Sequence, residues 1–185
     1  MQLLEYNINM MTILLVFINV IVFFLINMGK LDSDDLSMSY HTVFNKKEYY
    51  RIITSAFTHV DIMHIFFNMS SLINVGTFVE QLFGPWKMLV IYFGSMILGK
   101  LLSLQIRHNR HDDYTMSLGA SGAICGILGT YFMVVLYYFG REGITELLRP
   151  LASLVIMSIL PGVDGTSHFS CMAVGMAITF LMMFI

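Results

Sequence analysis

The sequence predicts an all-α membrane protein: a bundle of six transmembrane helices with a long, partly helical first loop. Three observations lead there. Hydrophobic residues make up 57% of the 185, charged residues only 12%, and mean hydropathy is +0.74. Apolar runs near the length needed to cross a hydrocarbon core of about 30 Å recur along the chain. Most of the 10 Lys+Arg and 12 Asp+Glu fall between those runs. This composition excludes an ordinary soluble domain. A net charge of −2 with no basic block gives no reason to expect nucleic acid. Cys125 and Cys171 lie inside apolar runs, which argues against a secreted disulfide framework.

The spans are expected near residues 9–28, 62–79, 86–105, 119–139, 144–160 and 167–185. The first has no preceding basic region and no small-residue cleavage site after it, so it reads as a retained span. The segment after it, 29–61, carries Tyr40 to Arg51 with mixed aromatic and basic residues, and suits an interfacial, partly helical loop. The fifth span is the weakest, because Arg149-Pro150 interrupts it and proline favours a helix start or a kink. The stretch 107–117 is a polar loop, and 81–85, 140–143 and 161–166 are short turns. With no linker long enough to separate a second unit, residues 1–185 form one expected domain. The charge distribution leaves orientation open. Lys87, Arg141 and Arg149 lie on the side of the termini, and Lys30, Lys46, Lys47, Arg51, Lys100, Arg107 and Arg110 on the other, but long loops follow the positive-inside rule poorly.

Polar groups at the mouths of apolar spans are functional candidates when partners can be named. Three such clusters occur: Thr58-His59-Val60-Asp61 running on to His64 and Asn68, then Gly119-Ala120-Ser121-Gly122, then Gly165-Thr166-Ser167-His168. His64 and Asn68 are four residues apart and share a helix face, while Asp61 is placed to cap that helix. The second, fourth and sixth spans run in the same direction, so the clusters lie near one membrane face. A hydroxyl, a base and donors to an oxyanion are what acyl transfer needs. Ser121 would be the nucleophile and His168 its base, with His64, Asn68 and the Ser121 backbone N–H as donors to an oxyanion.

Each feature also has a plainer meaning. A serine between glycines, taken alone, is more often a packing contact, and Gly122 and Gly126 form a close-approach surface. His168 alone reads as a satisfied interior histidine, and Asn68 as a helix bridge. The joint occurrence of the clusters on one side favours the chemical reading. His59 and His64 are five apart with no accompanying carboxylate, a poor metal site, so no metal or cofactor is expected. Ala123 replaces the last glycine of a hydrolase nucleophile elbow.

At these residues the chain resembles the rhomboid family of intramembrane serine proteases, over most of its length. Tyr50-Arg51 with Thr54 resembles the family's Trp-Arg motif, with tyrosine for tryptophan. His59, His64 and Asn68 fall at the family's spacing, Glu80 and Gly84 resemble the acid and glycine ending that span, Gly119 to Gly122 matches Gly-x-Ser-Gly, and Val163-Asp164 precedes His168 as in the family. The resemblance implies a Ser121–His168 dyad with no acidic third member and an oxyanion hole of His64, Asn68 and the Ser121 backbone. His59, Gly119, Gly122 and Arg51 take supporting places. It also implies single-span membrane proteins as substrates, cut in or near their transmembrane segment. It places the termini in the cytoplasm and the site toward the extracytoplasmic side of a plasma (inner) membrane. The lipid bilayer is the expected surrounding, and the oligomeric state is not readable.

Two positions depart from the family: Cys125 stands where an aromatic residue usually supports the histidine, and Cys171 where glycine is usual. A volume-conserving swap, two medium side chains for a large and a small one, is one reading; two inert core thiols is the other. The alternative function is a rhomboid-like protein that binds transmembrane segments without cutting them. A small transporter fits less well, lacking paired broken spans or a charge-lined path.

Overall fold

A computed structural model of the protein describes residues 9–159 and 162–184. Residues 1–8 of the expected domain, the expected ends of the fifth and sixth spans at Leu160 and Ile185, and the turn residue Pro161 lie outside the described residues. Helices dominate. Helix α1 (Met10–Asn27) buries Thr12, Leu15, Asn19 and Phe23, one stripe at helical spacing, and turns Ile13, Leu14, Phe17, Ile21 and Phe24 outward. An exposed face this apolar is stable against lipid, not water. The N-terminal amides of α1 are satisfied by Glu80, whose carboxylate accepts from Met11 N (2.9 Å), Thr12 N (2.8 Å) and Thr12 Oγ1 (2.7 Å). A buried carboxylate at a helix N-terminus meets both the orphan donors and the positive end of the dipole.

Between residues 28 and 61 the chain makes α2 (Ser33–Leu36), a wide π-type turn (His41–Asn45), and α3 (Arg51–Thr54) running into a tight turn at Ser55–Phe57. Buried Arg51 organises this stretch. It donates to Glu48 Oε2 (2.6 Å), to the Asp34 carbonyl (2.5 Å) and to the Ser37 carbonyl (2.8 Å). Met38 and Ser117 exchange backbone hydrogen bonds (3.0 and 2.7 Å), which ties the stretch to the segment leading into α7.

Helix α4 (Ile62–Ser71) starts at Asp61, whose side chain accepts from His64 N at 2.8 Å. It continues through a π-type segment (Leu72–Gly76) into α5 (Thr77–Phe83) as one rod of 22 residues, longer than the expected 62–79. Gly84, at φ +84°, breaks the rod, and Pro85 opens α6 (Pro85–Asn109). The left-handed glycine ends one helix and the ring-locked φ of proline starts the next. Helix α6 runs four residues past the expected 86–105; its polar end is held by buried Arg107, which bonds to Asp112 in the following loop. Helix α7 (Ser121–Phe139) begins two residues later than expected, because Gly119 is in a left-handed conformation (φ +100°). Helix α8 (Ile144–Ser158) has 15 residues with Pro150 inside, and α9 (Gly165–Met182) completes the set.

Among the described residues, five helical rods are long and apolar enough to cross a membrane: Met10–Asn27, Ile62–Phe83, Pro85–Asn109, Ser121–Phe139 and Gly165–Met182. Helix α8, which rises about 22 Å at 1.5 Å per residue, falls short of a full crossing.

Helices α6, α7 and α9 form the tightest part of the bundle. A methyl group on Gly175 would fall onto the Gly126 carbonyl, one on Gly126 onto the Ser95 hydroxyl, and one on Gly129 onto the Met172 carbonyl. At Gly99 it would lie 2.5 Å from Cys171 Cα. Small residues let the backbones meet, and buried Thr179 donates to Thr130 Oγ1 across the contact at 2.8 Å.

Candidate active site

Ser121 is the first residue of α7 and His168 lies one turn into α9, so the glycine-packed contact between these helices carries both. His168 Nε2 is 2.9 Å from Ser121 Oγ. His168 is buried and Ser121 half-buried. The other ring nitrogen, Nδ1, lies 3.0 Å from the hydroxyl oxygen of Ser158, the last residue of α8.

The turn before Ser121 is strapped down. Gly119 N donates to the Ser55 carbonyl at 2.7 Å, and the Ser55 hydroxyl accepts from Lys100 Nζ at 2.8 Å. Lys100 is fully buried inside α6 and spends its length reaching this turn. A Cβ on Gly119 would stand 2.9 Å from His64 Nε2 and 3.7 Å from Ser121 Oγ. The imidazole of His64 and the hydroxyl of Ser121 therefore wall the same small space, kept open by the missing side chain. Asn68, also buried, sits one turn further along α4. Gly122 faces α9, where an added Cβ would be 3.2 Å from both Ser167 Oγ and Cys171 Sγ.

His59 packs edge-to-face on His64, with ring centres 5.0 Å apart, and its Nδ1–H donates to the Phe57 carbonyl at 3.3 Å. Burial, reinforced by His64, pushes its pKa down to about 4, so it is neutral at physiological pH. Arg51 bonds within its own loop, as described above. Cys171 lies against Gly99 and Gly122, at the junction of α6, α7 and α9, and Cys125 is buried in α7.

The N-terminus of α9 is fixed by Asp164, whose side chain accepts from Ser167 N at 3.0 Å and from Arg107 Nη1 at 3.3 Å. Buried Arg107 also binds Asp112 (3.0 Å) and the Thr115 carbonyl (2.5 Å), joining the end of α6, the loop before α7 and the start of α9. In the sequence Lys100 and Arg107 stand out only as charges, and Ser55 and Ser158 do not stand out at all. A lysine within the expected span 86–105 was the available signal for Lys100, whereas Arg107 fell in the expected polar loop 107–117. Among the described residues, no group of three or more His, Cys, Asp or Glu side chains is placed to hold a metal ion.

A helical fold with several rods long and apolar enough to cross a membrane is that of an integral multi-pass membrane protein, and at the mouths of two of these rods a serine and a histidine lie within hydrogen-bonding distance. Residues 46–184 match the family description "Rhomboid domain", and the chain belongs to the rhomboid family. It is similar to "Rhomboid protease GluP" of Bacillus subtilis, with 33% identity over 130 residues, 68% of this chain and 24% of that protein. With "Rhomboid-type serine protease 2" of Emericella nidulans it shares 29% identity over 141 residues, 71% of this chain and 26% of that protein. It is also similar to "Inactive RHOMBOID-like protein 8" of Arabidopsis thaliana, 36% identical over 92 residues, 50% of this chain and 25% of that protein. The match thus spans about a quarter of each of these three relatives.

Proposed function

We propose that the protein is an intramembrane serine endopeptidase that cleaves single-span membrane proteins in or near their transmembrane segment, using Ser121 and His168. The observation that carries this reading is the 2.9 Å separation of Ser121 Oγ and His168 Nε2. That distance is within reach of direct proton transfer. Ser121 attacks the scissile carbonyl as His168 takes its proton, then His168 delivers the proton to the leaving amine. A water molecule, activated by the same histidine, releases the acyl-enzyme. His64, Asn68 and the N–H of Ser121 at the helix N-terminus serve as donors to the developing oxyanion. The shared space between His64, Gly119 and Ser121 supports this assignment, as a substrate carbonyl needs room there.

A helical substrate hides its carbonyls in hydrogen bonds, so the preferred sequences carry glycine, proline or small polar residues near the cut. In this reading residues 1–185 form a single domain and α8 counts as a sixth, short span. The termini face the cytoplasm and the site opens to the extracytoplasmic side of the plasma (inner) membrane. The second reading is binding of transmembrane segments without cleavage, favoured by similarity to a relative named inactive. Reconstitution with a tagged single-span substrate separates the two. The proposal expects product fragments with wild type and none with Ser121→Ala; equal product with both, or none with either, overturns it.

A further inference from the structure

A histidine acting as a base must present an unprotonated Nε2 to the serine, which requires the proton on Nδ1 and an acceptor there to hold it. The family resemblance supplies no third member for this task, and Cys125 stands where an aromatic support is usual. The structure provides a different group. Ser158 Oγ lies 3.0 Å from His168 Nδ1, on the side of the ring opposite Ser121. Resting on the proposed protease reading, we propose that Ser158 is a positioning residue of the active site: its hydroxyl oxygen accepts Nδ1–H and so fixes both the tautomer and the plane of His168.

Two further features fit this role. Ser158 ends α8, while Gly165 starts α9, and a Cβ on Gly165 would lie 2.5 Å from the Ser158 carbonyl oxygen and 3.2 Å from its Cβ. The glycine is what allows the end of α8 to come close enough for the hydroxyl to reach the ring. His168 sits one turn beyond Gly165, and Asp164 fixes that turn from the other side by accepting from Ser167 N. The start of α9 is therefore set on one flank by the Arg107–Asp164 network and on the other by Ser158.

Ser158 also sits on the short, proline-containing helix, so the orientation of the base depends on where α8 stands. When α8 is seated, Nδ1–H has its acceptor. A displacement of α8 would take the acceptor with it and remove the bond that selects the reactive tautomer of His168. Because the acceptor is a neutral hydroxyl, the contribution is that of one ordinary hydrogen bond, not of a buried carboxylate.

The test compares wild type, Ser158→Ala and Ser158→Thr in reconstituted vesicles with the tagged single-span substrate, alongside the rate of fluorophosphonate labelling of Ser121. The proposal expects Ser158→Ala to lower kcat and the labelling rate by roughly 5- to 30-fold with KM within about twofold. Ser158→Thr, which keeps the hydroxyl, restores both to within about threefold of wild type. Wild-type kcat and labelling in Ser158→Ala overturns the proposal. So does a folded Ser158→Thr as slow as Ser158→Ala, or a defect confined to KM. If Ser158→Ala fails to fold, the threonine variant decides alone, since its near-normal kcat and labelling rate are required. Absence of cleavage and labelling in wild type itself instead overturns the protease reading on which the role of Ser158 rests.

Discussion

Helices α7 and α8 are neighbours in sequence and opposites in construction. Helix α7 is pinned by backbone contact: Gly122, Gly126 and Gly129 bring it against α6 and α9 so closely that added methyl groups would strike carbonyls, hydroxyls or sulfur. Helix α8 rests on its neighbours mainly through Leu147 and Leu154, while Leu148, Val155 and Ile156 point outward. Its Pro150 removes one backbone donor from the middle of the helix, leaving the Glu146 carbonyl without its i→i−4 partner. The difference teaches how the molecule divides its labour. Ser121 and His168, the proposed nucleophile and base, stand on a close-packed pair that cannot yield without breaking backbone contacts, and the loosely held helix contributes only the Ser158 hydroxyl beside His168 Nδ1.

The comparison predicts where substitutions hurt most. Gly175→Ala drives a Cβ into the Gly126 carbonyl, whereas Gly94→Ala meets only the flexible tip of Ile178, at 3.0 Å. Gly175→Ala is expected to cost about 3 kcal/mol or more, or to abolish folding, and Gly94→Ala to be within about 1 kcal/mol of wild type. Denaturation in mixed detergent reads both, and equal effects would dissolve the distinction between backbone-pinned and ordinary contacts. Next in size, amides of 144–158 should exchange with deuterium at least about 100-fold faster than those of 123–136. Matching protection in the two helices would show that α8 is as firmly held as α7. Smallest, Glu80→Gln keeps the shape of the α1 cap but removes its charge, and should cost about 1–2 kcal/mol without changing the exchange of α7. Faster exchange in α7 as well would mean that α1 and the α7–α9 pair are not separate units of stability.

Helical membrane architecture was legible because lipid imposes long apolar runs, and those runs stand out in any sequence. Helix ends were less legible. The rod from Ile62 to Phe83 continues past the expected residue 79 because Glu80, a charge that hydropathy reads as an ending, is buried against the start of α1. Helix α7 starts where Gly119 adopts positive φ, a conformation the sequence permits but does not announce. At the site, alternation of spans placed the clusters of Ser121, His168 and His64 near one face, and the structure sets these residues side by side. Ser158 carried no such signal. A serine at the end of an apolar helix is ordinary, and its relation to His168 comes from how α8 meets Gly165, a tertiary contact with no sequence period. Lys100 shows the same limit from the other direction. It counts only as a charge in an orientation rule, yet it is buried against the turn that leads into Ser121.

Activation of Ser121 by His168 is central to the proposed activity, and covalent labelling tests it without any choice of substrate. Wild type, Ser121→Ala and His168→Asn, each confirmed as folded, are treated with a fluorophosphonate in native-like vesicles, and the adduct is mapped by mass spectrometry. The expected result is a single adduct on Ser121 in wild type, none in Ser121→Ala, and labelling slowed by roughly 100-fold or more in His168→Asn. An adduct on another residue, or equal labelling of Ser121 with and without His168, would contradict it.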